Sequence, residues 1–261
     1  MKKNIALLVI LTVSINLLGQ DSSNGPEFRK HRFGLKGTPG VSYFGVNKPG
    51  KKNKGLGYHI GGGLNYEYSL SKNVAISSGL IFSQTSGKVE YYDTLGLDYI
   101  AISNGDEDIS RAYRLHSRSY VFNSIDIPLK FKFRTPEIGY YTYYGEFGAT
   151  ANIITNVFAR KNLVTLNNGD SKTLLSGNES RLDANDESYF LRGGVNFGAG
   201  VEWNVAGNTS LLLGLNGNLG FTNILKKNSD SINYKDPDNS LKPFKRATSL
   251  NYIALQVGVQ F

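Results

Sequence analysis

The chain has 261 residues with 30 Gly, 31 aromatics (14 Phe, 16 Tyr, 1 Trp), one Met and no Cys, which excludes disulfide stapling, thiolate metal sites and a lipid anchor on a processed cysteine. Its formal charge is +8, and three of its basic residues crowd with Lys48 into one short stretch, Lys51, Lys52 and Lys54. On an exported chain such a cluster reads as a solvated loop, and nucleic acid is excluded as a partner.

Export is predicted by the first 19 residues, MKKNIALLVILTVSINLLG: two lysines, an apolar run interrupted by Thr12, Ser14 and Asn16, and a small residue at Gly19. The run is too short and too interrupted for a spanning helix, which needs about 20 mainly apolar residues. Cleavage after Gly19 removes Lys2 and Lys3 and leaves a formal +6. Residues 20–31 are then a short periplasmic segment, and residues 32–261 carry the fold.

From there the apolar residues recur at period two, and no stripe at helical spacing emerges. Eight segments carry the alternation: residues 32–45, 56–70, 73–88, the stretch SIDIPLKFKFR at 124–134, then 138–157, 188–205, 209–225 and 248–261. In the fourth, Ile125, Ile127, Leu129, Phe131 and Phe133 alternate with Asp126, Lys130, Lys132 and Arg134. Pro128 lacks an N–H, so a bulge is predicted there.

The connections alternate in kind. SLSKN, RTPEI and VAGN are tight turns, whereas 46–55, 89–118, 158–187 and 226–247 are long and polar. An up-and-down meander places all the tight turns at one end and all the long loops at the other.

Two architectures fit, with opposite faces outward. A soluble barrel turns its apolar rows inward; an outer-membrane barrel turns them to lipid, with a polar interior, periplasmic turns and extracellular loops. Three features select the second. The polar register is rich in Gly, Ser and Asn, as a crowded eight-stranded interior requires. The charges in that register are few and of both signs, and Lys36, Glu67, Asp126, Lys130, Lys132, Glu146, Arg192 and Glu202 are placed to form an interior ion-pair network. The aromatics sort by height: Phe33, Tyr66, Tyr68, Phe131, Phe133, Tyr141, Trp203 and Phe261 toward the turns, and Tyr43, Tyr58, Phe82, Tyr189 and Phe221 toward the loops. Two such rings flanking an aliphatic band read as membrane-interface girdles. Closure also removes the edges that lipid forbids. The predicted fold is therefore all-β: an eight-stranded antiparallel up-and-down transmembrane β-barrel in the bacterial outer membrane.

SIDIPLKFKFR, the first strand GLKGTPGVSYF, the second-strand stretch GYHIGGGLNYEYSLSKNVAISSGLIFS and the ending YIALQVGVQF resemble the PorT-like outer-membrane β-barrel proteins, an OmpA-type eight-stranded family. The resemblance implies a barrel in contact with outer-membrane lipid. It also implies a C-terminal strand ending in Val257, Val259 and Phe261 that the barrel-insertion machinery reads. For some members it implies an accessory role in protein secretion.

No enzyme, cofactor or metal is predicted. The three histidines stand apart, with His31 before the first strand, His116 in the second long loop and only His59 on a wall strand, facing inward. NGDEDIS (104–110) and KDPDNS (235–240) lack the ligand spacing of a calcium loop. GYHIGGGLNY has no following helix to hold a phosphate, and its glycines are expected to let neighbours pack closely. The long loops remain, with Tyr91, Tyr92, Tyr99, Tyr113 and Tyr120 in or beside the second, as a surface for a protein partner. The expected role is structural or protein-interacting. The alternatives are a small channel or transporter, or a lipid-modifying or proteolytic enzyme at the barrel rim.

Overall fold

Period-two alternation becomes a closed wall in the computed structural model, which describes residues 29–45, 51–91, 100–102, 111–166, 172–174, 181–207, 209–226, 233–235, 241–243 and 247–261. Taken in chain order, the early strands are β1 His31–Gly37, β2 Gly40–Gly45, β3 Lys51–Asn53, β4 Gly57–Ser69, β5 Val74–Tyr91 and β6 Ile100–Ile102. The central ones are β7 Arg111–Arg134, β8 Tyr141–Leu166, β9 Lys172–Leu174 and β10 Arg181–Asp183. The last are β11 Leu191–Ala206, β12 Thr209–Gly220, β13 Asn233–Lys235, β14 Leu241–Pro243 and β15 Ser249–Gln260.

The wall has eight antiparallel members, because β1 and β2 are one strand interrupted at Thr38–Pro39. The seam stays closed: Thr38 N–H donates to Gly61 O (2.8 Å) and Leu255 N–H to Pro39 O (2.8 Å). From this strand the order runs through β4, β5, β7, β8, β11 and β12 to β15, which pairs back onto β1 (Gly34↔Gln260) and β2 (Ser249↔Gly45). The turns joining β4 to β5, β7 to β8 and β11 to β12 lie at the end that also holds His31 and Phe261. Residues 1–19, read from the sequence as a signal peptide, and the first part of the segment 20–31 lie outside the described residues.

Polarity is inverted across the membrane-spanning part of the wall. Outward, Leu64 is 63% exposed, Leu129 62% and Leu213 55%; inward, Lys132 and Glu67 are 1% exposed. Such side chains settle this way only where the surroundings are hydrocarbon and the lumen holds the polar atoms.

Two expectations are corrected. The wall does not stop where the loops at 89–118 and 158–187 were placed, and the segments at 46–55 and 226–247 carry short strands of their own. β7 and β8 run for 24 and 26 residues, a dozen or so beyond the ~9–11 that span a bilayer. The short β3, β6, β9 and β10 pair onto this extension, and β13 and β14 form a separate hairpin. Above the membrane the outward positions meet water, so the apolar alternation ends while the strand continues.

Nor is there a bulge at Pro128. It pairs in register with Thr150 and faces inward, and its missing N–H is accommodated on the other side, where Gly79 and Leu80 of β5 drop out of the pairing with β7. The irregularities in the β7–β8 ladder come higher, at Asn123/Ser124 and between Leu115 and Ser119.

Candidate functional site

The lumen is where this sequence concentrates its chemistry, and it is built in tiers. Lowest are Glu67 and Glu202, brought together across the barrel from β4 and β11. Lys132 Nζ lies 2.6 Å from Glu67 Oε1 and 2.5 Å from Glu202 Oε1. Arg134 donates from Nε to Glu202 (3.0 Å) and from Nη2 to Glu67. Arg32 Nη1 reaches Glu202 Oε2 at 2.8 Å and Glu67 Oε2 at 3.7 Å. Three cations thus surround two carboxylates, and Lys132 Nζ also sits 4.3 Å from the Tyr144 ring centroid. Gly200 and Gly214 make room for that ring, since a Cβ at either would lie 2.6 or 2.5 Å from the Tyr144 hydroxyl.

In the middle tier Lys130 pairs with Glu146, Asn216 donates to Glu146 Oε1 (3.3 Å), and Lys36 Nζ donates to Asn65 Oδ1 (3.1 Å). Asp126 and Arg192 do not pair directly, for a topological reason: Asp126↔Asn152 and Arg192↔Asn152 lie in one cross-strand row, with β8 between their strands. The Asn152 amide joins them, donating to Asp126 Oδ1 (2.6 Å) and accepting from Arg192 Nη1 (2.8 Å). Ser83 and Ser124 donate to Asp126 at 2.7 Å each. An interior cavity lined by Lys36, Asp126, Lys130, Tyr252 and Gln256 has a volume of about 30 Å³, the space of roughly one or two waters.

His59 is 1% exposed, held between the hydroxyls of Thr85 (2.7 Å) and Thr38 (3.3 Å) and stacked on Tyr252 with ring centroids 3.8 Å apart. His31 bonds the Tyr66 hydroxyl and His116 the Thr165 hydroxyl, so the three imidazoles stay apart. Gly61 serves the close packing expected of its run, since a Cβ there would meet Thr38 Oγ1 at 2.5 Å.

The top tier is apolar. Phe44, Tyr91, Leu115, Tyr120, Phe122, Val157, Val164, Leu182, Ile224 and Leu250 belong to one buried cluster. Tyr91 and Tyr120 are therefore core residues, a correction to their placement on a loop surface; Tyr92 and Tyr99 fall outside the described residues. A buried ion pair crosses the tier: Arg118 Nη1 donates to Glu187 Oε1 (2.8 Å) and Tyr120 OH to Glu187 Oε2 (2.6 Å).

Sequence reasoning missed Arg32 and Arg134 as members of the lower cluster, although both share the parity of Lys36 and Lys132. It missed Arg118 and Glu187 because both lay in segments read as loops. In the basic stretch, Lys51 is buried with Nζ on Ala247 O (2.8 Å), while Lys52 and Lys54 face Glu90 at 3.2 and 3.7 Å. The Lys52 hydrogen bond, more than the charges of Lys52 and Lys54, holds the Glu90 carboxyl below its ordinary value against the effect of burial. Lys48 and residues 104–110 lie outside the described residues.

The aromatics Tyr43, Tyr58, Tyr66, Tyr68, Phe131, Phe133, Tyr141, Tyr189, Trp203 and Phe261 are all half-buried or exposed. Several touch: Phe33 and Tyr66 (5.0 Å between centroids), Phe133 and Phe147 (6.0 Å), Tyr141 and Trp203 (6.3 Å).

Residues 18–226 match the family model described as outer membrane protein beta-barrel domain. Among solved structures, the chain is similar to Neisserial surface protein A (11% identity, TM-score 0.41, covering 89% of this chain and 96% of that one). It is also similar to the outer membrane protein OprG of Pseudomonas aeruginosa (10%, 0.43, 88% and 95%). A third is the attachment invasion locus protein Ail of Yersinia pestis, in complex with a heparin analogue (13%, 0.35, 89% and 100%). At these values the structural likenesses carry no argument of their own. No curated protein matches the sequence.

Proposed function

The chain belongs to the outer membrane protein beta-barrel domain family, and from that premise we propose that it acts as a filled, non-conducting barrel holding its long-loop end outside the cell for a protein partner. Its place is the bacterial outer membrane. The observation that carries the reading is the lumen: the ion pairs of Lys132 with Glu67 and Glu202 cross it low down, and Phe44, Tyr120 and Phe122 fill it above. An ion entering from either end would have to break buried charge pairs or cross an apolar plug, and each of those steps costs several kcal/mol.

The extended walls of β5, β7 and β8 support the interaction role, since they lift the long connections clear of the lipid. His59, sealed between Thr38, Thr85 and Tyr252, offers a rim substrate no access. The PorT-like stretch SIDIPLKFKFR is what ties the role to secretion, and the closing strand to Phe261 is what suits the chain to the insertion machinery.

Single-channel recording in planar bilayers tests the filled lumen: silence is expected, and steady openings would overturn it. Crosslinking in intact cells, followed by purification of the full chain, tests the partner. A specific envelope protein should appear, and recovery of insertion factors and chaperones alone would remove the secretion role.

A further inference from the structure

The outer face of the wall extension carries an unexplained row of cations. Lys88 of β5 stands opposite Ser119 of β7, Ser119 opposite Arg160 of β8, and Arg160 opposite Arg181 of β10. Directly opposed residues share a face, so these four side chains all point outward, with strands spaced about 4.8 Å apart. Like charges directly opposed, as at Arg160 and Arg181, destabilise a sheet. Yet the two guanidinium groups converge, 4.8 and 4.0 Å from the centroid of one ring, Phe158, which is 4% exposed beneath them.

A fourth cation is brought in by the backbone. Lys161 is the one non-glycine with positive φ (51°) among the described residues, and it sits where the β7–β8 ladder shifts, next to Arg160. This irregularity leaves Arg160 and Lys161 both exposed at consecutive positions, where a regular strand would turn one inward. Among the described residues none of Lys88, Arg160, Lys161 and Arg181 pairs with a carboxylate. The neighbouring acids are engaged elsewhere: Asp183 Oδ1 accepts from Asn185 N–H (2.8 Å), and Glu90 faces Lys52 and Lys54.

Height selects the ligand. Ile153 ends the apolar face of β8, and the guanidinium groups turned back over Phe158 lie about 10 Å above it, at ~3.3 Å rise per residue and ~40° tilt. That is above the hydrocarbon, in the layer where a glycolipid carries its sugars and their phosphates. We propose that Lys88, Arg160, Lys161 and Arg181, with Phe158 as their platform, bind the phosphate groups of a phosphorylated glycolipid in the outer leaflet. Paired guanidinium groups suit a phosphate because each offers a planar fork of donors to its oxygens. The site rests on the orientation read above, long loops outside.

The test is native mass spectrometry of the detergent-purified full chain titrated with bis-phosphorylated lipid A. Lipid adducts are expected, with apparent affinity about tenfold weaker in the Arg160→Gln/Arg181→Gln double variant and largely kept in Arg160→Lys/Arg181→Lys. Lys72→Gln, in the turn at the opposite end, should bind as wild type. Dephosphorylated lipid A should bind wild type as weakly as phosphorylated lipid binds the Gln variant. Equal binding of the dephosphorylated lipid, or an unchanged Gln variant with its heat-modifiable gel mobility intact, overturns the site. Displacement of the lipid by an equal concentration of inorganic phosphate would mean a free-anion site and overturns the lipid assignment. Orientation is read separately: in this cysteine-free chain, Lys161→Cys should react with an impermeant maleimide on intact cells. Its silence would sink the orientation while leaving the titration to judge the phosphate site.

Discussion

The lower and upper halves of the lumen are opposite in kind. Around Lys132 the interior is charged and hydrogen-bonded; around Tyr120 and Phe122 it is apolar, crossed by the Arg118–Glu187 ion pair. The same strands, β7 and β8, line both, and the change coincides with the irregularity at Asn123/Ser124. What differs is the medium outside. Where hydrocarbon surrounds the wall, apolar side chains gain nothing by turning inward, and the polar set takes the lumen. Where water surrounds it, burial of apolar area pays again and the ordinary rule of a soluble core returns. One barrel thus follows two solvent rules along its axis.

That contrast can be broken from either side. The largest effect is expected for Glu202→Ala, which leaves Lys132, Arg134 and Arg32 sharing one carboxylate: about 3–5 kcal/mol of stability lost. Urea unfolding in liposomes, followed by the single Trp203 on the lipid-facing wall, reads it. A loss under about 1 kcal/mol would mean the lower cluster is not what holds the membrane half. Phe122→Ala should cost about 3 kcal/mol through the cavity left behind. The loss should be local, with faster amide exchange in the upper strands and an unmoved Trp203 transition; a global transition shift would show the two halves to be one cooperative unit.

Tyr120→Phe sharpens the upper tier. It removes one hydrogen bond to the Glu187 carboxylate, for about 2 kcal/mol, again confined to upper-strand exchange. The smallest effect belongs to Glu90. Its carboxyl is held below the ordinary value chiefly by the Lys52 hydrogen bond. Its contribution is therefore complete above the ordinary carboxyl value of 4.5 and lost as the pH falls through the depressed folded value. Amide protection across the β3–β5 pairing should drop slightly between pH 6 and pH 3, and Glu90→Gln should abolish that pH dependence.

The bilayer-spanning strands were legible because alternation and environment agree there: Leu129, Phe131 and Phe133 face out as their parity demands. The parity of Arg32 and Arg134 was equally plain, but their convergence on Glu67 and Glu202 needs barrel closure, since the partners are far apart in sequence. Tyr120 misled because a tyrosine above the membrane line among polar residues looks the same in a loop as on a strand facing an apolar plug. Pro128 misled because the ladder absorbed its missing donor by unpairing two β5 residues.

By itself the sequence determined an eight-stranded wall, its inside-out polarity and which end bears the long connections, since each follows from local alternation and turn chemistry. Only the tertiary structure decided which charges meet, how far the wall rises above the lipid and that its upper lumen is apolar. Those depend on which strands closure sets opposite one another and on the solvent each height meets, and neither is written in the spacing of any one strand.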